Sequence, residues 1–275
     1  MMQKRINKIE EFCKNPIKTQ EQVFDFLISK GKNTAFGKAH SFQEIKNYTH
    51  FSKNIPIRTY EDFSVFIERA RKGEENVLWP GKIKWFAKSS GTTNAQSKYI
   101  PITKESLEDC HFKGGKDMLS LYGNNFPFSD MYNGKGLMLG GTIKESEFGN
   151  YKDGDLSAIL LDKFPFWVNY HRIPDIETAL MGEWEEKLER IAKQAVKENI
   201  TNLTGVPSWM LILLKRVLAI SGKKTITEVW PNLELYMHGG VNFEPYREQF
   251  KALIPSNKMN YLEGYNASEG FIGIQ

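Results

Sequence analysis

The sequence predicts an α/β fold: a mostly parallel β-sheet flanked by helices. Three observations carry that expectation. From residue 184 onward, segments with helical apolar spacing alternate with short β-favouring runs, the pattern that yields a parallel sheet with right-handed crossovers. Each of those runs is followed by a glycine-containing turn, at Gly205-Val206-Pro207, Gly239-Gly240 and Gly264-Tyr265. Finally, 275 residues at 40% hydrophobic and 25% charged are enough to bury a sizeable core, in one large or two medium domains.

Taken in order, residues 1 to 30 have Ile9, Phe12, Val23, Phe26 and Leu27 at near-helical spacing, and Asn33-Thr34-Ala35-Phe36-Gly37-Lys38 breaks the pattern. Thr59, with Asp62 three positions on, caps a helix through Phe63, Phe66, Ile67 and Ala70, and Gly73 ends it. Strands are predicted over 84–87 and 98–100. Thr103, followed by Ser106-Leu107, begins a helix that carries His111 and Met118. Glycine and asparagine dominate residues 114–154, with Gly140-Gly141-Thr142 among them; short strands are expected at 136–139 and 156–161.

The third quarter is clearer. Trp184, Leu188, Ile191 and Ala195 form an amphipathic stripe at i, i+4, i+7 and i+11. A strand over 200–203 follows, then a helix over 208–219 closed by Gly222. A strand over 233–237 runs into Gly239-Gly240. Glu244-Pro245 opens a helix with Pro at its favoured first position, its buried face formed by Tyr246, Phe250 and Leu253. The last strand spans 259–263.

Composition excludes several classes. Lys+Arg 37 against Asp+Glu 33 leaves +4, dispersed along the chain, which gives no electrostatic footprint for nucleic acid. The longest aliphatic run, 209–214, is stopped by Lys215-Arg216, far short of a membrane span, and residues 1–12 lack the unbroken apolar stretch of a signal peptide. Cys13 and Cys110 build no disulfide framework, so a cytoplasmic location is expected. The oligomeric state is not legible.

Chemistry concentrates in Ser89-Ser90-Gly91-Thr92-Thr93, flanked by Trp85-Phe86-Ala87 and by Lys98. Four hydroxyls and a glycine propagate a helix poorly, because Ser and Thr compete with the backbone for hydrogen bonds. The same groups can converge on phosphate oxygens, and Lys98 adds a point charge. The residues alone leave two readings open, a phosphate cradle and a Ser/Thr-rich hairpin loop. They do not form the P-loop of nucleoside triphosphatases, which needs Gly-Lys-Ser/Thr opening a helix.

Ligands of parallel sheets collect beyond the carboxyl ends of the strands. Three segments are expected there as neighbours: Thr204-Gly205-Val206-Pro207, His238-Gly239-Gly240-Val241 and Tyr265-Asn266-Ala267-Ser268-Glu269-Gly270. Gly239-Gly240 would admit a flat ring close to backbone, Tyr265 would stack on it, Ser268 would bond a phosphate and Glu269 would hold magnesium. Taken singly these pieces read more simply as a two-glycine turn, a core tyrosine and a solvated glutamate; together with the Ser/Thr/Gly loop they favour a nucleotide site.

Ser89-Ser90-Gly91-Thr92-Thr93 together with Tyr265-x-x-Ser268-Glu269 resembles the adenylate-forming superfamily of acyl-CoA synthetases, luciferases and peptide-synthetase adenylation domains. Within it the chain most resembles the Gretchen Hagen (auxin-responsive promoter) family of acyl-acid amido synthetases. The spacing favours that family: one more residue separates Gly91 from Lys98 than in the common acyl-CoA ligase pattern. Asn33-Thr34-x-Phe36-Gly37, Ile55-Pro56-Ile57-x-Thr59-Tyr60-Glu61-Asp62 and Gly239-Gly240-Val241-Asn242 are also similar to it.

The resemblance implies the large domain of an adenylate-forming enzyme and a two-step ligase. A small carboxylic acid attacks the α-phosphate of ATP, and an amine or amino acid then displaces AMP from the acyl-adenylate. It implies phosphate contacts from Ser89, Ser90, Gly91, Thr92, Thr93 and Lys98, and an adenine pocket of Gly239, Gly240, Val241 and Tyr265. Ser268 is implied at a phosphate, Glu269 at Mg2+, and residues 204–209 in the acyl pocket. The family's ribose-binding Tyr-Arg-x-Gly-Asp segment and its small C-terminal domain are not in these residues, so the expectation is a large domain incomplete at its C-terminus, cut in mid-strand at Gln275. Such a piece is expected to bind ATP feebly and not to complete amide synthesis. The alternatives are a phenylacetate-type acyl-CoA ligase and a non-catalytic nucleotide-binding or interaction protein.

Overall fold

The computed structural model describes residues 2–89, 97–146, 149 and 151–275. Its strands, in chain order, are β1 (Trp85–Ser89), β2 (Lys98–Ile102), β3 (Lys135–Met138), β4 (Ile143–Glu145), β5 (Lys152–Gly154), β6 (Arg172–Ile173), β7 (Ile200–Thr204), β8 (Leu235–His238), β9 (Asn260–Ala267) and β10 (Gly270–Ile274). The chain forms two compact units, Met1–Glu108 with Lys144–Asp153, and Asp109–Ile143 with Gly154–Gln275.

In the first unit the N-terminal apolar pattern becomes two helices, Met2–Lys14 and Pro16–Gly31, separated where Pro16 fits only a first helical position. Residues 33–38, expected to be irregular, contain the short helix Ala35–Ala39: the Thr34 hydroxyl accepts from the Gly37 amide at 3.0 Å and caps it. A Cβ on Gly37 would lie 2.1 Å from the Gly31 carbonyl oxygen, so only glycine permits that approach. Helix Tyr60–Arg71 opens on the expected capping box, with the Thr59 amide donating to Asp62 Oδ2 at 2.7 Å. Phe36 stacks on Phe63 and meets Phe66 edge-on, while Ile67, Ala70, Val77, Ile83, Phe86 and Tyr151 form the core below.

That core supports a four-stranded sheet of order β2-β1-β5-β4. β1 and β2 are an antiparallel hairpin in the register Trp85↔Ile102 to Ser89↔Lys98. Two side chains from the capped helix fasten it. The Tyr99 amide donates to the Tyr60 hydroxyl at 2.7 Å, and the Arg71 guanidinium stacks 3.7 Å from the Tyr99 ring centroid.

The second unit contains the mostly parallel sheet, six strands in the order β10-β9-β8-β7-β3-β6. β6, β3, β7, β8 and β9 are parallel neighbours, and β10 folds back antiparallel on β9. Period-two alternation sends successive β8 side chains to opposite cores. Tyr236 enters the core shared with helices Trp184–Ala195, Pro207–Ser221 and Arg247–Leu253. Leu235 and Met237 pack with Met118 and Tyr122 of helix Phe112–Asn125 on the other face. Buried polar tips on the first face find partners: Trp230 Nε1 donates to the Ala195 carbonyl and the Tyr236 hydroxyl to the Gly205 carbonyl, each at 2.9 Å.

Several expectations change. Residues 156–161, expected as a strand, lie in helix Leu156–Lys163, which buries Leu156, Ala158, Ile159 and Leu161. A short run that is apolar on every side does not distinguish strand from buried helix by period. The helix expected from Glu244 begins as a 3-10 turn, Glu244–Tyr246, before Arg247–Leu253. β9 extends to Ala267, so Tyr265 and Asn266 stand within the strand instead of beyond it.

Candidate functional site

In the first unit, Ser89 and Lys98 face each other as the last cross-strand pair of the β1–β2 hairpin, so both side chains leave the same face. The Lys98 ammonium lies 5.5 Å from the Tyr60 ring centroid. Ser90, Gly91, Thr92 and Thr93, the rest of the expected phosphate contacts, lie outside the described residues. The opposite face of the hairpin is tied down: Lys88 Nζ lies 2.6 Å from Asp153 Oδ1, which raises the lysine's pKa through that hydrogen bond.

In the second unit the other expected residues gather at one end of the sheet. Gly239, Gly240 and Val241 follow β8; Ser268 and Glu269 form the turn between β9 and β10; and Gly205-Val206 follows β7, the next strand over. Tyr265 is 62% exposed and Val241 40%, so both present apolar surface to solvent. Gly240 has φ +82, a left-handed conformation suited to glycine. Gly239 is fixed by the sheet: a Cβ there would lie 2.2 Å from the Gly264 carbonyl oxygen of β9.

Two buried polar atoms at this end have no protein hydrogen-bond partner, Thr204 Oγ1 at the end of β7 and His238 Nδ1 at the end of β8. The His238 ring stacks on Phe243 at 4.1 Å, and burial, assisted by Arg247, pushes its pKa down to about 4. A neutral imidazole and a hydroxyl, both buried, are donor and acceptor groups of the kind a polar ligand requires.

Sequence reasoning missed the anchoring of the turn after β3. Gly140 and Gly141 carbonyls both accept from Lys187 Nζ at 2.8 Å. The Gly141 amide donates to Ser157 Oγ at 3.0 Å and the Thr142 amide to Asp155 Oδ2 at 2.9 Å. Lys187 is fully buried, and desolvation holds its pKa down to about 8 despite Asp155. The signal was present, since Lys187 falls at i+3 of the stripe that begins at Trp184.

As to metal and nucleotide, the described residues contain no cluster of three or more His, Cys, Asp or Glu. Glu269, exposed at a turn beside Ser268, fits magnesium only as a single carboxylate sharing the ion with ligand phosphates, which is how Mg2+ is ordinarily held. Among the described residues no helix is long and apolar enough to cross a membrane.

Comparison with known proteins agrees with this architecture. The profile of the GH3 family N-terminal domain matches residues 5–259. Tyr265, Ser268 and Glu269 lie just beyond that match. Indole-3-acetic acid-amido synthetase GH3.2 of Arabidopsis thaliana is 30% identical over 106 residues, 38% of this chain and 19% of the relative. The solved structure of the AtGH3.15 acyl acid amido synthetase in complex with 2,4-DB superposes with a TM-score of 0.82 at 16% identity, covering 100% of this chain and 57% of that one. A 2-hydroxyisobutyryl-CoA ligase in its thioesterification state has a TM-score of 0.53 at 11% identity, over 92% of this chain and 50% of its own. The chain thus has the fold of the adenylate-forming ligases and spans little more than half of its structural relatives. With the family profile covering all but the two ends, it belongs to the GH3 family and corresponds to that family's N-terminal domain.

Proposed function

We propose that this chain is the ATP- and acid-binding large domain of an acyl-acid amido synthetase. The observation that carries the reading is the clustering of residues 204–207, 238–241 and 267–269 at one end of three adjacent strands, β7, β8 and β9, in a sheet of the family's fold. Gly239, Gly240, Val241 and Tyr265 line the adenine; Ser268 meets a phosphate; Ser89, Ser90, Gly91, Thr92, Thr93 and Lys98 hold the polyphosphate.

The proposed reaction activates a small carboxylic acid with ATP, releasing pyrophosphate, and passes the acyl group to an amine, typically an amino acid. Attack on the α-phosphate builds charge on phosphoryl oxygens and on the leaving pyrophosphate. Donors preorganised around those oxygens lower the barrier. Magnesium, when bound, supplies further neutralisation of the phosphates. Lys98 adds a cation, and the Ser268 hydroxyl adds a hydrogen-bond donor. Residues 204–209 would contact the acid, with the buried, unpartnered Thr204 hydroxyl as one polar group among them.

The complete reaction is proposed for the whole protein, because closing the site and excluding water call on the small C-terminal domain that such enzymes use. A cytoplasmic location suits the two free thiols, Cys13 and Cys110, among the described residues. The test is acid-dependent ATP–pyrophosphate exchange, followed by product analysis with amino acids and with coenzyme A. Acyl-amide formation supports the reading, thioester formation substitutes a CoA ligase, and absence of exchange with a broad acid panel overturns it.

A further inference from the structure

One turn of π-helix, Ser106–His111, precedes helix Phe112–Asn125, and two consecutive side chains from it grip the β9–β10 hairpin. The His111 Nδ1 lies 2.7 Å from Asn266 Oδ1. An amide oxygen only accepts, so the proton resides on Nδ1 and the imidazole donates. The amide of Phe271, second residue of β10, donates to Cys110 Sγ at 3.2 Å. One turn further on, Gly114 lies flat against Phe271: a Cβ there would come within 2.4 Å of the ring. The hairpin held in this way carries Tyr265 and Asn266 on β9 and Ser268-Glu269 at its tip.

The geometry is that of a support. His111 is 2% exposed, its Nε2 has no protein partner, and burial lowers its pKa, so the ring is neutral and fixed in one tautomer. A π-turn adds a residue to the helical ladder and so changes the direction of the side chains it carries; such turns recur where a side chain must be aimed. Here it aims Cys110 and His111 at the two strands on either side of residues 268–269. Among the described residues neither the Ser268 nor the Glu269 side chain hydrogen-bonds to the rest of the unit, so the position of that tip depends on the strands that enter and leave it, which His111 and Cys110 hold.

We infer that His111 is a positioning residue: through Asn266, with Cys110 beside it, it fixes the hairpin that presents Tyr265, Ser268 and Glu269 to the nucleotide. The inference rests on the proposed ATP reading for its functional half, while the clamp itself stands on the contacts above. It assigns no proton transfer to His111.

Hydrogen–deuterium exchange and magnesium-ATP titration of the 275-residue chain test the two halves separately. His111→Leu keeps an apolar filling but loses the donor; His111→Asn keeps a donor near the position of Nδ1; Asn266→Ser breaks the pair from the other side. The expected result is exchange about tenfold faster at residues 264–272 in His111→Leu and Asn266→Ser, the effect of losing one hydrogen bond of ordinary strength, with β7 and β8 amides unchanged. Magnesium-ATP binding should weaken by a similar factor, and His111→Asn should restore both. Unchanged hairpin exchange in both disrupting variants overturns the clamp. Faster exchange with undiminished ATP binding overturns the positioning role. If the wild-type chain shows no ATP binding at all, the nucleotide reading fails, and the exchange map still decides the clamp. Should His111→Leu not fold, Asn266→Ser carries the same comparison.

Discussion

Ser89 and Lys98 are directly opposite each other in the β1–β2 ladder. Because cross-strand partners share a face, a hydroxyl and an ammonium stand side by side at that end of the hairpin. The other face is occupied by Lys88 and Tyr99, tied to Asp153 and Arg71. Lys98 is thereby released from structural duty on that side.

It follows that Lys98→Met lowers the rate of acid-dependent pyrophosphate exchange on the order of tenfold to a hundredfold while leaving thermal stability close to wild type. Exchange kinetics on the complete protein and a melting curve on the same sample check this. A silent substitution would return Lys98 to the role of a solvated hairpin lysine.

Glu269 is exposed, so Glu269→Gln removes charge without disturbing packing. The expected outcome is a rise of about tenfold in the magnesium concentration needed for half-maximal exchange, consistent with loss of a charged ligand. Magnesium titrations of wild type and variant provide the comparison.

Gly239 is required by the neighbouring strand. Placing a Cβ 2.2 Å from the Gly264 carbonyl oxygen forces β8 and β9 apart, and neither backbone is free to yield. Gly239→Ala should cost about 1–3 kcal/mol of stability, read from urea unfolding. Gly240, with open space around it apart from Val206 Cγ2 at 3.4 Å, should respond through its φ of +82 instead.

Lys187 gives the fold an unusual alkaline behaviour. Its ordinary pKa of 10.5 falls to about 8 because burial penalises the cation. Below pH 8 folded and unfolded chains both carry the charge. Between about 8 and 10.5 the unfolded chain keeps a proton that the folded chain has released, so this group makes stability rise with pH across that window. Lys187→Met should remove that rise and, by stripping the Gly140 and Gly141 carbonyls of their donor, cost roughly 1–3 kcal/mol at neutral pH. Melting temperatures of both proteins from pH 7 to about 10 measure the difference.

His238 acts at the other end of the scale. Its pKa falls from 6.5 to about 4, chiefly through burial. As pH drops through 6.5 the unfolded chain gains a proton that the folded chain refuses until about 4, so stability declines over that interval. His238→Phe keeps the stack on Phe243 and should flatten the acid limb of the melting-temperature profile.

Much of this architecture is legible in the sequence because it is local. The Thr59–Asp62 capping box, the stripe from Trp184 to Ala195 and the glycine stop at Gly222 each depend on residues within a few turns of one another. The alternation of helix and strand after residue 184 then dictates a parallel sheet, and with it the end at which ligands of such sheets generally collect. Residues 156–161 were misread because a run apolar on all sides has no period to distinguish helix from strand. Non-local pairs leave no such trace. His111 and Asn266 are 155 positions apart, and only the folded chain brings imidazole to amide. Lys187 stands between: its place on the apolar stripe was visible, while its partners at Gly140 and Gly141 were not.

The central claim, that this domain binds a magnesium–nucleotide at the strand ends, is tested most directly by calorimetric titration of the purified 275-residue chain with ATP, with and without magnesium. The account predicts saturable binding that requires magnesium and is reduced in Glu269→Gln and Lys98→Met. Absence of saturable binding at any ATP concentration, or binding indifferent to magnesium and to both substitutions, would contradict it.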